Sequence, residues 1–303
     1  MKVGIFCESS QRSLAQQVLR VLRSLRIPAS AYQLGQNWQR LDGEEVRYNF
    51  AGLSHLIILL TSDPGKSPWL SFVGGYAIGR NCPVFLFSPD GVTLPEFLRN
   101  FGHITGVEEL KKEMLLAHDV WRKTEIIERS REELSARGLG IAEEVLAACT
   151  SDGDLSAVEN FLRIGFSPNS RDERGVPILS LAIRGRHHEL VNLLLDKGAD
   201  VNAVSLDRGN SPLMEAAVRG DGETVDQLLR VGANLNLQSK NGQTALMLAV
   251  GEGFTSVAHK LLDWGADTAP VDQLGMTAGK YAELFKHTEI SELIRRRNAE
   301  VSG

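Results

Sequence analysis

The second half of the chain repeats one short phrase at an almost constant interval. Its glycines, Gly165, Gly198, Gly232 and Gly265, are 33, 34 and 33 residues apart. The phrases read Gly-Phe-Ser-Pro-Asn, Gly-Ala-Asp-Val-Asn, Gly-Ala-Asn-Leu-Asn and Gly-Ala-Asp-Thr. Such a period is typical of a solenoid, in which each unit buries its apolar face only against its neighbours. The sequence therefore predicts a stack that binds other macromolecules, and it assigns any small-molecule site to the first half.

Each repeating unit has the pattern of two short helices joined by a turn. The units open with similar phrases at residues 176–183, 211–218 and 244–250. The hydroxyls of Ser211 and Thr244 are suited to cap a helix. A glycine then marks the turn to the second helix in each unit: Gly185, Gly220 and Gly253. The glycine of the repeated phrase suits a left-handed helix terminus.

These features resemble the ankyrin repeat, whose units open with Thr-Pro-Leu and close with Gly-Ala-Asp-Val-Asn. The resemblance covers residues 141–297. Three units fit it well, and they begin at Val176, Ser211 and Thr244. A degenerate unit precedes them, and the polar segment from Thr277 suits a C-terminal cap. We therefore predict an all-α ankyrin repeat solenoid over residues 141–303, with about four repeats plus the cap.

The resemblance implies a protein partner, because ankyrin arrays bind proteins through their finger tips and inner helices. The tips would lie at residues 171–174, 205–208, 239–241 and 272–274. The candidate partner-binding residues are Arg171, Arg174, Leu206, Asp207, Arg208, Lys240, Asn241 and Asp272. Leu206 is of interest as an apolar residue at an exposed tip. The alternative is that these tips are only solvated turns.

The first half alternates strand and helix patterns. Strands are predicted at residues 2–7, 29–34, 56–60 and 84–87, with an edge strand at 103–106. Helices are predicted at residues 14–25, 44–52, 69–79 and 95–100. This alternation predicts an α/β domain over residues 1–110, with a flavodoxin-like, doubly wound parallel sheet.

The carboxyl ends of the predicted strands are rich in Ser, Asp and Gly, and a ligand would bind there. The candidate ligand-binding residues are Ser9, Ser10, Asp63, Gly65 and Trp69. A nucleotide such as NAD or ADP-ribose is the ligand we expect if one binds. The alternative is ordinary turn chemistry, because the same residue types make turns.

The phrase at residues 67–77 and the Gly-Tyr-Ala and Pro-Val pairs at 75–77 and 83–84 resemble two related families. These are Toll/interleukin-1 receptor (TIR) domains and nucleoside 2-deoxyribosyltransferases. In both, a glutamate of this helix acts at the ribose carbon bonded to the base. Here that position is Val73, which cannot ionise, so we expect no catalytic residue and no reaction.

The resulting hypothesis is a non-enzymatic scaffold or adaptor protein, whose first domain self-associates or binds a nucleotide without cleaving it. The alternative is an NAD-cleaving or nucleoside-processing enzyme that its repeats target. In that case Glu44, Glu45 or Asp63 would replace the missing carboxylate.

Composition limits the kinds of ligand and the cellular location that we expect for this chain. The net charge of −5 offers no basic excess for nucleic acid. The cysteines and histidines show no metal-ligand spacing, so we predict no metal, and the three separated cysteines favour a cytoplasmic protein. We find no pattern of a signal peptide or membrane span.

Between the two halves, residues 111–140 are predicted to form a helical linker.

Overall fold

The computed structural model describes residues 1–34, 50, 52–61, 64, 68–88, 92, 94 and 96–302. The chain divides into two compact units, Met1–Glu125 and Ile126–Gly303. In the described part of the chain, no helix combines the length and the apolar character that crossing a bilayer requires.

The first unit contains a five-stranded sheet in which every pair of neighbours is parallel. Its strands are β1 (Val3–Glu8), β2 (Ala29–Leu34), β3 (His55–Leu59), β4 (Val84–Phe87) and β5 (Gly102–Ile104). They lie in the order β2-β1-β3-β4-β5. The predicted parallel sheet and its short edge strand are therefore confirmed.

Two of the predicted helices flanking the sheet are present as α1 (Arg12–Ser24) and α2 (Pro68–Gly79). The helix predicted at 95–100 is a single 3-10 turn, Glu96–Leu98. The helix predicted at 44–52 falls almost entirely outside the described residues.

Alternate residues of the strands fill two separate cores, because successive side chains of a strand point to opposite faces. Ile5 and Ile57 pack on the face that α1 covers. Phe6 and Ile58 pack on the other face, against Leu70 of α2 and its neighbours. Since α1 and α2 lie on opposite faces, the chain changes direction across the sheet between β1 and β3.

A 30-residue helix, α3 (Val107–Ala136), continues past the end of the first unit. Leu110 and Met114 lie in the core of the first unit, and Leu134 lies in the core of the second. Glu133 accepts a hydrogen bond of 3.0 Å from the Asn160 side chain. The structure therefore has a single helix over most of the predicted helical linker at 111–140, and the boundary between the two units lies within that helix.

The second unit contains five pairs of short helices. The first helices are α4 (Glu143–Asp152), α6 (Ile178–Arg184), α8 (Pro212–Ala217), α10 (Ala245–Gly251) and α12 (Ala278–Leu284). The second helices are α5 (Leu155–Arg163), α7 (His188–Asp196), α9 (Gly222–Arg230), α11 (Thr255–Asp263) and α13 (Thr288–Ser302). The glycines of the repeated phrase all have positive φ, between 84° and 104°, as predicted for left-handed helix ends.

In the repeat that contains α6, the helix begins one residue later than the sequence alignment predicts. Ser211, Thr244 and Thr277 cap their helices with a side-chain oxygen, but the equivalent residue in α6 is Pro177, which cannot. The left-handed position after α6 is held by Arg186, at φ 58°, and not by the predicted turn glycine Gly185. The alignment of Val176-Pro177 with Ser211-Pro212 was therefore wrong by one position.

A hairpin-like finger joins each pair of helices to the next. The four fingers are residues 170–176, 203–210, 237–243 and 270–276. Successive fingers are joined by backbone hydrogen bonds: Leu206 N–H donates to Gly175 O at 3.0 Å, and Lys240 N–H donates to Arg208 O at 3.0 Å. A third bond runs from Gln273 N–H to Asn241 O at 2.9 Å. The fingers therefore form one continuous ribbon along the array.

Substitution of Gly209 by alanine should destabilise this ribbon more than substitution of Gly275. Both glycines have a φ of +72°, but a Cβ on Gly209 would lie 2.7 Å from the Lys240 backbone nitrogen, while one on Gly275 meets nothing within 4 Å. We expect Gly275→Ala to cost about 1 kcal/mol from backbone strain alone. Gly209→Ala should cost at least about 1 kcal/mol more, because backbone cannot move aside cheaply. Urea unfolding of both variants checks this, and equal losses would contradict it.

Candidate protein-binding face and ligand crevice

The fingers and the side of the first helices that contacts them form one surface, here called the finger face. Contacts between helix and finger define it. Arg184 of α6 binds Asp207 of the second finger, and Tyr281 of α12 donates a hydrogen bond to Asp272 of the fourth. Because equivalent residues recur in each unit, side chains at these positions form a row along the array.

A cluster of charged side chains occupies the finger face at the second and third helix pairs. Arg184 binds both oxygens of Asp207, at 2.9 and 3.2 Å, and one oxygen of Glu215, at 2.7 Å. Arg219 binds the other Glu215 oxygen at 2.6 Å, and Asn210 donates to Glu215 at 3.1 Å. Glu215 itself is fully buried. The cluster ties two helices and a finger together.

The charges of this cluster hold each other in the ionised state. The hydrogen bond from Arg184 is the largest influence on Asp207, and it holds the pKa of that carboxyl well below its usual range. Burial alone would lower the pKa of the Arg184 guanidinium, but its bonds to Glu215 and Asp207 outweigh burial and raise it. Asp207 is therefore ionised, and its negative charge is balanced by Arg184 within the protein.

The other end of the finger face is apolar and aromatic. Tyr281 stacks on Phe285 with ring centroids 6.1 Å apart. Leu274, at the tip of the fourth finger, is 80% exposed, and Leu284 is 62% exposed. Two of these residues occupy positions equivalent to members of the charged cluster. Tyr281 is equivalent to Glu215, and Phe285 is equivalent to Arg219. At these equivalent positions the face therefore changes from charged to apolar along the array, and the exposed Lys280 lies beside the fourth finger, where its ammonium donates to the Gly275 carbonyl at 3.0 Å.

Several predicted partner-binding residues are exposed and available. Arg174, Arg208 and Asn241 are exposed, and within the described residues their side chains have no hydrogen bond or ion pair. Leu206 is 62% exposed, as predicted for an apolar tip, although its side chain also lies over Gly175. These four residues present two cations, an amide and an apolar group to solvent.

Other predicted partner-binding residues have internal roles. The half-buried Arg171 donates to the carbonyls of Gly175 and Val204, at 2.7 and 2.9 Å, and so joins two fingers. Asp272 is buried and accepts backbone hydrogen bonds that close its own finger. Lys240 donates to the carbonyl of Leu206, while Asp207 is committed to Arg184. Short-range sequence patterns could not reveal these contacts.

Arg184, Glu215 and Arg219 were not among the predicted site residues, although the sequence contained one indication of them. The alignment of Ser211 with Thr244 already placed Glu215 at the position of Leu248, and the register of the structure adds Leu181. A carboxylate at a buried apolar position needs partners, since an isolated buried charge is very costly. Its presence therefore indicated that cations lie nearby.

The predicted ligand crevice of the first unit is only partly described. Ser9 and Ser10 are exposed at the carboxyl end of β1, in a 3-10 turn, Ser9–Gln11. This strand is adjacent to β3, whose carboxyl end leads to Thr61. Asp63 and Gly65 lie outside the described residues, as does the side chain of Trp69. The structure thus shows the side chains of two of the five candidates, and it places the backbone of Trp69 in the first turn of α2.

Val73, the expected position of a catalytic glutamate, lies inside the apolar core between the sheet and α2. It is 1% exposed and packs in the cluster that contains Phe6 and Leu70. The substitutes considered for it, Glu44, Glu45 and Asp63, lie outside the described residues. A carboxylate on Val73's Cβ in this arrangement would be buried among apolar groups, where its pKa would rise.

The three cysteines are unpaired, and Cys7 and Cys149 are buried. Burial raises the pKa of each thiol above its ordinary value, which disfavours the reactive thiolate. Within the described ranges, no three His, Cys, Asp or Glu side chains form a group that could hold a metal ion.

A family model described as ankyrin repeats (3 copies) matches residues 145–237 and 213–302, more than half of the chain. The chain is an ankyrin repeat protein. The five helix pairs with their fingers are thus its ankyrin array. The predicted ankyrin solenoid is confirmed.

Relatives extend this likeness to the first unit. The chain is 30% identical over 296 residues to an ankyrin repeat-containing protein of Treponema pallidum (strain Nichols), an alignment that covers 97% of this chain and 99% of that protein. It is 38% identical over 98 residues to the B-cell lymphoma 3 protein homolog of Mus musculus, covering 32% of this chain and 22% of that one. The Treponema protein therefore shares both halves.

A further similarity is to an L-asparaginase of Dirofilaria immitis, with 31% identity over 151 residues. That alignment covers 50% of this chain and 25% of the relative. Since this ankyrin protein spans only about a quarter of the mouse and Dirofilaria proteins, their activities are not carried over to it.

Proposed function

We propose that this ankyrin protein is a scaffold or adaptor that binds a protein partner through the finger face. The observation that carries the proposal is the availability of Arg174, Leu206, Arg208 and Asn241 on a ribbon of linked fingers. A rigid surface loses little conformational entropy when it binds, which favours recognition. The unpaired cysteines favour a reducing compartment such as the cytoplasm.

Binding should depend on the two exposed arginines. We expect the full-length chain to retain a protein from extracts of its own cell, and Arg174→Glu with Arg208→Glu to weaken that retention about tenfold. Stability should change by no more than about 0.5 kcal/mol per exposed site. Arg171 is unsuitable for this test because its guanidinium holds two fingers together.

The matched control reverses the charge of two arginines that lie outside the fingers, by Arg295→Glu with Arg296→Glu on α13. Both side chains are at least 70% exposed. Equal weakening by both pairs would indicate a non-specific charge effect and contradict the proposal. Full retention by the chain cut after Glu125 would also contradict it, because the first unit would then be the binding module.

For the first unit, we propose a flavodoxin-like, doubly wound domain related to TIR domains, which binds a nucleotide without cleaving it or associates with a second copy. The strand order β2-β1-β3-β4-β5 supports this, since it is the order of the flavodoxin-like class. In such sheets ligands bind where the chain reverses direction, which here is between β1 and β3. The exposed hydroxyls of Ser9 and Ser10 lie at that point.

Nucleotide binding should appear as a rise in melting temperature. NAD, ADP-ribose, nucleosides and cyclic nucleotides at millimolar concentration form the panel, and a ligand specific for the folded state stabilises it by mass action. We expect one or more of them to raise the melting temperature, and Ser9→Ala with Ser10→Ala to reduce the rise. No shift with any compound would contradict nucleotide binding. Release of nicotinamide or free base would instead support the enzymatic alternative.

A further inference from the structure

The finger face carries two chemically different halves, and each half constrains the partner. At the first two fingers, the exposed cations are Arg174 and Arg208, and Lys240 follows at the third. The carboxylates of these two fingers are Glu173, the half-buried Asp172 and Asp207, of which Asp207 is paired with Arg184, and Arg171 adds a further cation. The first half of the face is therefore net positive at its tips.

The second half offers apolar groups in the equivalent positions. The residues that precede the finger glycines run in the order Arg174, Arg208, Asn241 and Leu274 along the array. Leu274 is 80% exposed, and Leu284 and Phe285 of the last pair are 62% and 49% exposed. Exposure of three large apolar side chains in one helix pair and the finger before it favours an interaction site.

The spacing of the repeats fixes the length of a segment that would contact both halves. Packed helices lie roughly 8–10 Å apart, so three successive steps from the first finger to the fourth span about 27 Å. An extended chain advances about 3.3 Å per residue. A segment of about eight residues therefore reaches from Arg174 to Leu274.

From these observations we infer that the partner presents an extended segment of about eight residues, with acidic side chains in one half and large apolar side chains in the other. This inference rests on the proposed protein-binding function. The acidic half lies against the fingers of Arg174 and Arg208, and the apolar half lies against Leu274, Leu284 and Phe285. Guanidinium groups suit carboxylates because they can donate two parallel hydrogen bonds. A nucleic acid fits less well, because its phosphates would also meet the apolar half.

The test is selection of displayed random nine-residue peptides by the immobilised full-length chain. We expect enriched peptides to separate acidic from large apolar residues into opposite halves. Selection by Arg174→Glu with Arg208→Glu should lose the acidic preference. Selection by Leu274→Asp with Leu284→Asp should lose the apolar preference, and both positions are exposed enough to leave the fold intact. Melting temperatures of the variants verify that.

An enriched peptide, labelled with a fluorophore, gives the affinity change directly. Each variant pair should weaken its binding at least about tenfold, and added salt should weaken the acidic half's contribution through screening. Enriched peptides that need the finger face but lack the two-part pattern would overturn this inference and leave the proposed function standing. No peptide enriched in a finger-dependent manner would overturn this inference, whereas the proposed function is tested separately by the retention experiment with Arg174→Glu and Arg208→Glu.

Discussion

Glu215→Gln should lower the free energy of unfolding of the ankyrin array by about 3–5 kcal/mol, the usual cost of breaking a buried ion pair from one side. Glu215 is fully buried and accepts hydrogen bonds from Arg184, Arg219 and Asn210. Glutamine has the same size but no charge, so two guanidinium groups would lose their common counter-ion. Urea unfolding of the full-length chain measures the loss.

Two companion variants separate this effect from general damage. Glu283→Gln removes a carboxylate from an ion pair with Arg295 whose side chains are 57% and 70% exposed, and it should cost less than about 1 kcal/mol. Replacing Glu215 by leucine, both arginines by methionine and Asp207 by asparagine should recover most of the loss, because apolar or neutral groups can substitute for a buried ion cluster when no charge is left unpaired. A loss below about 1 kcal/mol for Glu215→Gln would show that the cluster is dispensable.

Acid should destabilise the first unit through His55. This side chain is 6% exposed at the start of β3, and its pKa is lowered from 6.5 to about 4 by burial, with smaller contributions from the N-terminal ammonium and His118. The unfolded chain binds a proton near pH 6.5, whereas the folded protein does not until about pH 4. The free energy of unfolding of the first unit is therefore unaffected by His55 above about pH 6.5, and it decreases as the pH falls towards 4. The loss is on the order of 3 kcal/mol.

Urea unfolding between pH 7.5 and 4.5 measures this loss, and tryptophan fluorescence reports mainly on the first unit, which holds three of the four tryptophans. The His55→Gln variant should show a flatter dependence over this range, because glutamine does not titrate. His118→Gln should reduce the loss only slightly, since it removes the smallest of the three influences. Parallel curves for wild type and His55→Gln would show that other groups cause the acid sensitivity.

The architecture was largely predictable from the amino-acid sequence. The recurring glycines and the alternating apolar segments predicted both the array and the parallel sheet, because these depend on local periodicity. The exposed tips Arg174, Leu206 and Arg208 were also predictable, since each stands in a turn phrase that recurs in register.

Which polar residues remain available to a partner depends on contacts that form when the chain folds. Arg171 and Arg208 both lie in fingers, yet one binds two carbonyl groups and the other faces solvent. Pro177 became the first residue of a repeat because the finger before it, closed by hydrogen bonds, sets where the helix begins. A hydrogen bond between residues 33 positions apart settles the first choice, and bonds within the finger settle the second; the identity of a donor residue does not reveal which acceptor it binds.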